Sequence, residues 1–231
     1  MTNPIFCAVD RPDLEGTLAL ARTLAPHVGG IKLGLEFFAA QGPRGVEAVA
    51  ALGLPVFLDL KLHDIPNTVA GAVREVAKLC VAMLTLHAAG GRAMLEAAVA
   101  AAAAARHRPW LLGVTVLTSL DAADLVATGV AAAPDEQALR LARLAVAAGL
   151  DGLVCSPLEI AGLRQALGPG PRIVVPGIRP AGGGDDQKRT MAPAQALALG
   201  ADILVIGRPI TRAQAPAMAA ADLARQLRPA A

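Results

Sequence analysis

Short apolar runs alternate with longer Ala- and Leu-rich stretches along the whole chain. The runs IFCAVD (5–10), GIKLG (30–34), PVFLDLK (55–61), MLTLHAA (83–89), LLGVTVLT (111–118), DGLVCS (151–156), RIVVPGI (172–178) and ILVIGR (203–208) have the near-continuous apolar character of strands covered on both faces. The stretches at 13–25, 36–51, 67–79, 91–106, 135–148, 158–166, 193–199 and 211–227 are longer and rich in strong helix formers. A polar loop precedes the fifth of these and a Gly-rich loop the seventh. Such alternation predicts a parallel sheet. Eight units within 231 residues fit a closed (β/α)8 barrel better than an open doubly wound sheet, which is the alternative. No linker or composition shift divides the chain, so residues 1–231 are expected to form a single TIM-barrel domain of the α/β class.

Polar residues collect where the strands finish. Asp10 ends the first, Lys32 the second, Asp59 and Lys61 the third, and His87 the fourth; Thr118 and Ser119 end the fifth, Ser156 the sixth, and Arg179 and Arg208 follow the seventh and eighth. In a barrel these ends converge on one mouth, where catalytic groups sit. Taken singly, Asp10 reads equally well as a helix cap and Thr118 as a turn residue; the joint pattern points to a site. Asp59 and Lys61 are two apart on a strand and so share a side, which the flanking Leu58, Leu60 and Leu62 make the lumen. Charges buried there must be paired. They form either a structural ion pair or a cluster held ready for chemistry, with Asp64 adding a third charge in the next turn and Thr68 in the first turn of the helix.

Two later segments suggest an anion site. VVPGIRPAGGGDDQKRT (174–190) is long for a strand–helix loop, the kind of segment that often serves as a lid. In ILVIGRPIT (203–211), Gly207 lets backbone approach a ligand and Arg208 offers a fork for phosphate. The loops after strands seven and eight are the recurrent phosphate site of such barrels.

Composition narrows the possibilities. The chain is 55% apolar and 17% charged, hence globular. A net charge of +2 and 2% aromatic residues argue against a nucleic-acid face. Mean hydropathy is positive, yet no stretch is long and clean enough to span a bilayer; MLEAAVAAAAAA (94–105), flanked by Arg92 and Arg106, reads as an exposed-and-buried helix of a water-soluble fold. The N-terminus lacks the basic and long apolar regions of a signal peptide. Cys7, Cys80 and Cys155 lie far apart in apolar runs and read as reduced core residues, so a cytoplasmic location is expected. No GxGxxG follows the first strand. Asp59, His63 and His87 could together hold a divalent ion, but Lys61 would bring a positive charge into the same site.

The segment LDLKLHDIPNT (58–68) resembles the signature Asp-x-Lys-x-x-Asp-Ile-x-x-Thr of the orotidine 5′-phosphate decarboxylase family. AVD (8–10), KLG (32–34), TLHA (85–88), GVTVLTS (113–119), CSPLE (155–159), VPGIRP (175–180), DDQKR (185–189) and IGRPIT (206–211) resemble the same family, in order, over nearly the whole chain. The Asp-x-Lys-x-x-Asp core is shared with other phosphosugar barrels, such as hexulose-phosphate synthases; the DIPNT extension with PGIR, DDQ and GR is highly specific. The resemblance implies conversion of orotidine 5′-monophosphate to UMP in de novo pyrimidine biosynthesis, without metal or organic cofactor. It implies that Lys61 protonates C6 and that Asp59 sits beside the departing carboxylate. It implies that Asp10 and Lys32 bind the ribose hydroxyls, that Thr118 contacts the pyrimidine, and that Arg179, Gln187, Gly207 and Arg208 hold the phosphate. Asp64 and Thr68 are implied to reach the neighbouring subunit's site, making a homodimer. A non-catalytic nucleotide-binding protein that kept the pocket would be expected to lose Lys61 or an acid, and neither is missing.

Overall fold

In the computed structural model, which describes residues 3–179 and 191–227, all eight apolar runs become parallel strands. These are β1 (Ile5–Ala8), β2 (Gly30–Leu33), β3 (Val56–Leu62), β4 (Met83–His87), β5 (Trp110–Val114), β6 (Gly152–Val154), β7 (Arg172–Val175) and β8 (Ile203–Ile206). They pair in chain order and close, β1 bonding to both β2 and β8. The closed barrel removes the open-sheet alternative, and it removes every sheet edge with it.

Helices wrap the outside: α1 (Leu14–Leu24), α2 (Leu35–Ala50), α3 (Pro66–Ala77), α4 (Arg92–Ala103), α5 (Ala122–Ala127), α6 (Pro134–Ala147), α7 (Ile160–Leu167), α8 (Pro193–Ala198), α9 (Arg208–Thr211) and α10 (Pro216–Gln226). Their starts are written locally. Asp13 caps α1 by accepting from Gly16 N at 2.6 Å, and Pro66, Pro134, Pro193 and Pro216 occupy first-turn positions where a missing N–H costs nothing. The Ala-rich tract is α4, with Met94, Leu95, Ala98, Ala101 and Ala102 buried.

Three local expectations change. The helix read over 211–227 begins only at Pro216, as α10, with the short α9 lying ahead of it and residues 212–215 non-helical, because Pro216 cannot donate to a preceding turn and biases Ala215 away from helical ψ. The polar loop after β5 contains α5, which Asp121 starts through a reciprocal capping box with Asp124. Cys80 is not a core residue: it is exposed, at φ +54°, in the turn that leaves α3. Cys7 and Cys155 are buried as expected.

Strand alternation sorts the core into two shells. Between strands and helices lies the larger one, with Ile5, Ile31, Leu33, Leu58, Leu84, Leu86, Leu111, Leu153 and Ile206 facing outward. Inside the barrel, Phe6, Phe57, Met83, Leu112, Val174, Ile203 and Val205 fill the floor. Phe6 and Phe57 meet edge to face at 6.5 Å. Gly30 makes room for this plug, since a Cβ there would stand 2.2 Å from the Phe6 ring. Among the described residues these side chains fill the floor, and the lumen opens at the C-terminal mouth.

Candidate active site

The mouth opens into a cavity of about 790 Å3, a size suited to a small organic ligand. Asp10, Lys32, Asp59, Lys61, Thr118, Arg179, Gly207 and Arg208 all line it. Its walls differ in chemistry. One side, from β1 to β3, is charged; the opposite side, built by Val114, Val116, Leu117, Val154, Pro176 and Ile178, is apolar. Arg179 and Arg208 stand at the end formed by β7 and β8, joined by Arg212.

The charged wall is a chain of alternating sign. Lys32 Nζ lies 2.9 Å from Asp10 Oδ2 and 3.6 Å from Asp59 Oδ2; Lys61 Nζ reaches the same Asp59 oxygen at 2.8 Å. The side chains of Lys32 and Asp59 are only 10% and 14% exposed, so each depends on its partners for charge compensation. Lys61 is the most open member after Asp10, at 28%, and it faces the cavity. Burial by itself pushes the Asp59 carboxyl up; Lys32, Lys61 and hydrogen bonds from Lys61 and Thr85 outweigh it, and the group is held below its ordinary value, as an anion.

Local backbone makes this arrangement. Between the pairs Leu58↔Leu84 and Leu62↔Leu86, β3 has three residues where β4 has one, so the strand bulges. Lys61, at φ +51°, sits in the bulge in the left-handed region, where a non-glycine residue is strained. Its N–H donates to Thr85 Oγ1 at 2.9 Å, and that hydroxyl donates to Asp59 Oδ1 at 2.8 Å. Asp10 is fixed similarly: Gly34 N donates to its Oδ1 at 2.7 Å.

Not every strand end reaches the cavity. Ser156 is buried as the cap of the turn Pro157–Glu159, where Leu158 N donates to its hydroxyl and Glu159 accepts from its N–H. His87 instead pairs with His63, ring centroids 5.4 Å apart. Burial, then His63 and Lys61, press its pKa below the usual histidine value. Among the described residues no group of three His, Cys, Asp or Glu side chains could hold a metal ion, so the Asp59–His63–His87 set does not assemble. Cys155 does line the cavity, but burial and Glu159 push its thiol well up, and burial pushes Cys7 up to about 12; neither is a thiolate nucleophile.

Asp64 and Thr68 are exposed and lie outside the cavity of their own chain. Asp64 accepts from Ile65 N at 2.6 Å and lines a separate shallow depression with His63, Ile65, Pro66, Ala89 and Gly90. Ile65, 66% exposed, crowns the same surface. Gln187 lies outside the described residues, as does most of the Gly-rich loop; the flanking Ile178 and Met191 are bridged, with Arg179 N bonded to Met191 O at 3.0 Å. Two features escaped the sequence reading: the apolar wall, whose valines look like any strand residues, and Thr85, whose signal was a hydroxyl two positions before His87 in an apolar strand.

A closed (β/α)8 barrel with an ionic wall facing an apolar one, and guanidinium groups after β7 and β8, has the architecture of a TIM-barrel enzyme with its site at the C-terminal mouth. A sequence model of the orotidine 5′-phosphate decarboxylase / HUMPS family matches residues 3–223, and the chain belongs to that family. It is 55% identical to an orotidine 5′-phosphate decarboxylase of Sphingopyxis alaskensis over 96% of this chain and 98% of the relative. It is 54% identical to one of Anaeromyxobacter sp. over 96% and 97%. The crystal structure of orotidine 5′-phosphate decarboxylase from Lactobacillus acidophilus superposes with a TM-score of 0.86 at 35% identity, covering 97% of this chain and 99% of that one.

Proposed function

We propose that the chain decarboxylates orotidine 5′-monophosphate to UMP and CO2, the activity its relatives carry by name, with Lys61 as the general acid. The reaction is the closing step of de novo pyrimidine biosynthesis, carried out in the cytoplasm without metal or organic cofactor. The observation that carries the reading is the pair of ammonium groups held on Asp59 Oδ2 at the edge of a cavity whose far end bears Arg179 and Arg208.

Loss of CO2 from C6 leaves an electron pair in the plane of the ring, where the π system cannot delocalise it. The catalyst must then supply stabilisation near the top of the usual ~8–23 kcal/mol range. A fixed ammonium where that charge develops stabilises it electrostatically and delivers the proton. Lys61 takes this role because it is the ammonium with the wider opening to the cavity. Asp59 orients it and lies beside the departing carboxylate. Asp10 and Lys32 hold the ribose hydroxyls, Thr118 and the apolar wall receive the pyrimidine, and Arg179, Gln187, Gly207 and Arg208 hold the phosphate. Gripping the phosphate supplies binding energy remote from the reacting carbon.

Asp64 and Thr68, exposed and turned away from their own cavity, are assigned to the site of a second subunit in a homodimer. The test is direct. The protein is mixed with orotidine 5′-monophosphate in EDTA and the fall in substrate ultraviolet absorbance is followed, with Lys61→Ala alongside. Metal-independent turnover that Lys61→Ala abolishes, while UMP binding persists, is the expected result. Binding without turnover would instead select a nucleotide-binding protein, and a requirement for metal a phosphosugar enzyme.

A further inference from the structure

Thr85 is completely buried on the lumen side of β4, between Met83 of the barrel floor and His87 at the mouth. Its strand neighbours Leu84 and Leu86 face the outer core. A threonine hydroxyl carries one proton and two acceptor sites, and here the proton's direction is determined. The Lys61 amide can only donate, so at 2.9 Å Thr85 Oγ1 accepts from it. The Asp59 carboxylate can only accept, so at 2.8 Å Thr85 Oγ1 donates to it. The hydroxyl rotor is therefore locked between the backbone of one reacting group and the side chain of the other.

Both bonds answer a problem created by the bulge. Because β3 and β4 fall out of register across these residues, the Lys61 amide needs an acceptor other than a regular ladder carbonyl, and a buried N–H without one is costly. Lys61 is also in the left-handed region, which the surroundings must enforce. On the other side, occupying Asp59 Oδ1 leaves Oδ2 as the oxygen that faces both Lys32 and Lys61. A partial rotation of the carboxylate would draw Oδ2 away from both ammonium groups and lose this sharing.

We propose that Thr85 is a positioning residue for the reaction: its hydroxyl clamps the Lys61 backbone to the Asp59 carboxylate and so aims the Lys61 ammonium. The inference rests on Lys61 being the general acid. It differs from a purely structural role, in which Thr85 would satisfy a buried amide and affect stability alone.

The experiment compares Thr85→Val, which keeps the shape and removes both hydrogen bonds, with Thr85→Ser, which keeps the hydroxyl. Turnover, melting temperature and the pH profile are measured for each, beside the wild type and Lys61→Ala. Thr85→Val should lower kcat by about 10–100-fold with KM changed by less than about threefold, since a misplaced group costs rate more than affinity. Its acid limb should move to higher pH, because Asp59 loses a bond that favours its anion. Thr85→Ser should restore kcat to within about fivefold of wild type and return the acid limb. A Thr85→Val enzyme with near wild-type kcat and only a lower melting temperature overturns the proposal, as does failure of Thr85→Ser to recover rate. If Thr85→Val does not fold, Thr85→Ala is judged by the same criteria. Retained activity in Lys61→Ala removes the general acid and overturns both readings; loss there with an unaffected Thr85→Val overturns the Thr85 role alone.

Discussion

Asp59 Oδ2 and Lys61 Nζ lie 2.8 Å apart although the strand that carries both residues loses register with its neighbour across them. The pair is thus held by a bulge and a cross-strand hydroxyl, and its charges are balanced within a set of four: Asp10, Lys32, Asp59 and Lys61.

Acid should destabilise the fold in two ranges. The unfolded chain protonates His87 near pH 6.5, whereas burial, His63 and Lys61 keep the folded group neutral to lower pH. The stability this difference contributes is present above 6.5 and lost as pH falls below it. Asp59, whose folded pKa lies below 3.8, contributes stability that is present above 3.8 and lost as pH falls through the depressed folded value. Melting temperature measured from pH 8 to 3 should therefore decline below 6.5 and again below 3.8, and His87→Gln should flatten the upper decline. A profile level from pH 7 to 5 in the wild type would contradict the first assignment.

Gly34→Ala should damage the site without straining the backbone, whose φ of −101° any residue adopts. The new Cβ would stand 2.4 Å from Asp10 Oδ1 and 3.1 Å from Lys32 Nζ, displacing the carboxylate that holds that lysine. Loss of a charge-assisted bond of about 1.5–3 kcal/mol should appear as a 10–100-fold drop in kcat/KM. Steady-state kinetics check it.

Arg208→Ala should weaken substrate binding far more than it slows bound substrate. A lost guanidinium–phosphate contact is worth about 1.5–3 kcal/mol, so KM should rise by ~10–100-fold. An unchanged KM would remove Arg208 from the phosphate site.

Mixing two inactive variants should restore activity if Asp64 serves a partner's cavity. In a heterodimer of Lys61→Ala and Asp64→Ala subunits, one site carries both defects and the other neither. After unfolding and refolding together, about a quarter of wild-type activity should return, as expected for a symmetric dimer with random pairing. Persistent inactivity of the mixture would place Asp64 in its own subunit's site.

Much of the site could be read from the strand ends. Asp10, Lys32, Asp59, Lys61, Thr118, Arg179, Gly207 and Arg208 all line the cavity, because in a parallel barrel every strand delivers its C-terminal residue to the same rim. The rule failed at β6, where Ser156 spends its hydroxyl on a cap, and at β4, where His87 turns to His63. Both residues found nearer partners, which strand order does not encode. Helix ends show the same limit: Asp13 and the N-terminal prolines mark starts reliably, and the helix read from 211 in fact starts at one of them, Pro216.

The barrel and the inventory of its chemistry are legible in the order of residues. Period-two alternation separates lumen from outer core, and eight strand–helix units without a break favour closure. How the charges meet is a matter of three-dimensional packing. The approach of Lys61 to Asp59 depends on two residues that β3 spends beyond β4, and on a hydroxyl at position 85 that is distant in sequence. Hydrogen-bond partners across a register shift are set by three-dimensional packing, and no periodicity along one strand contains them.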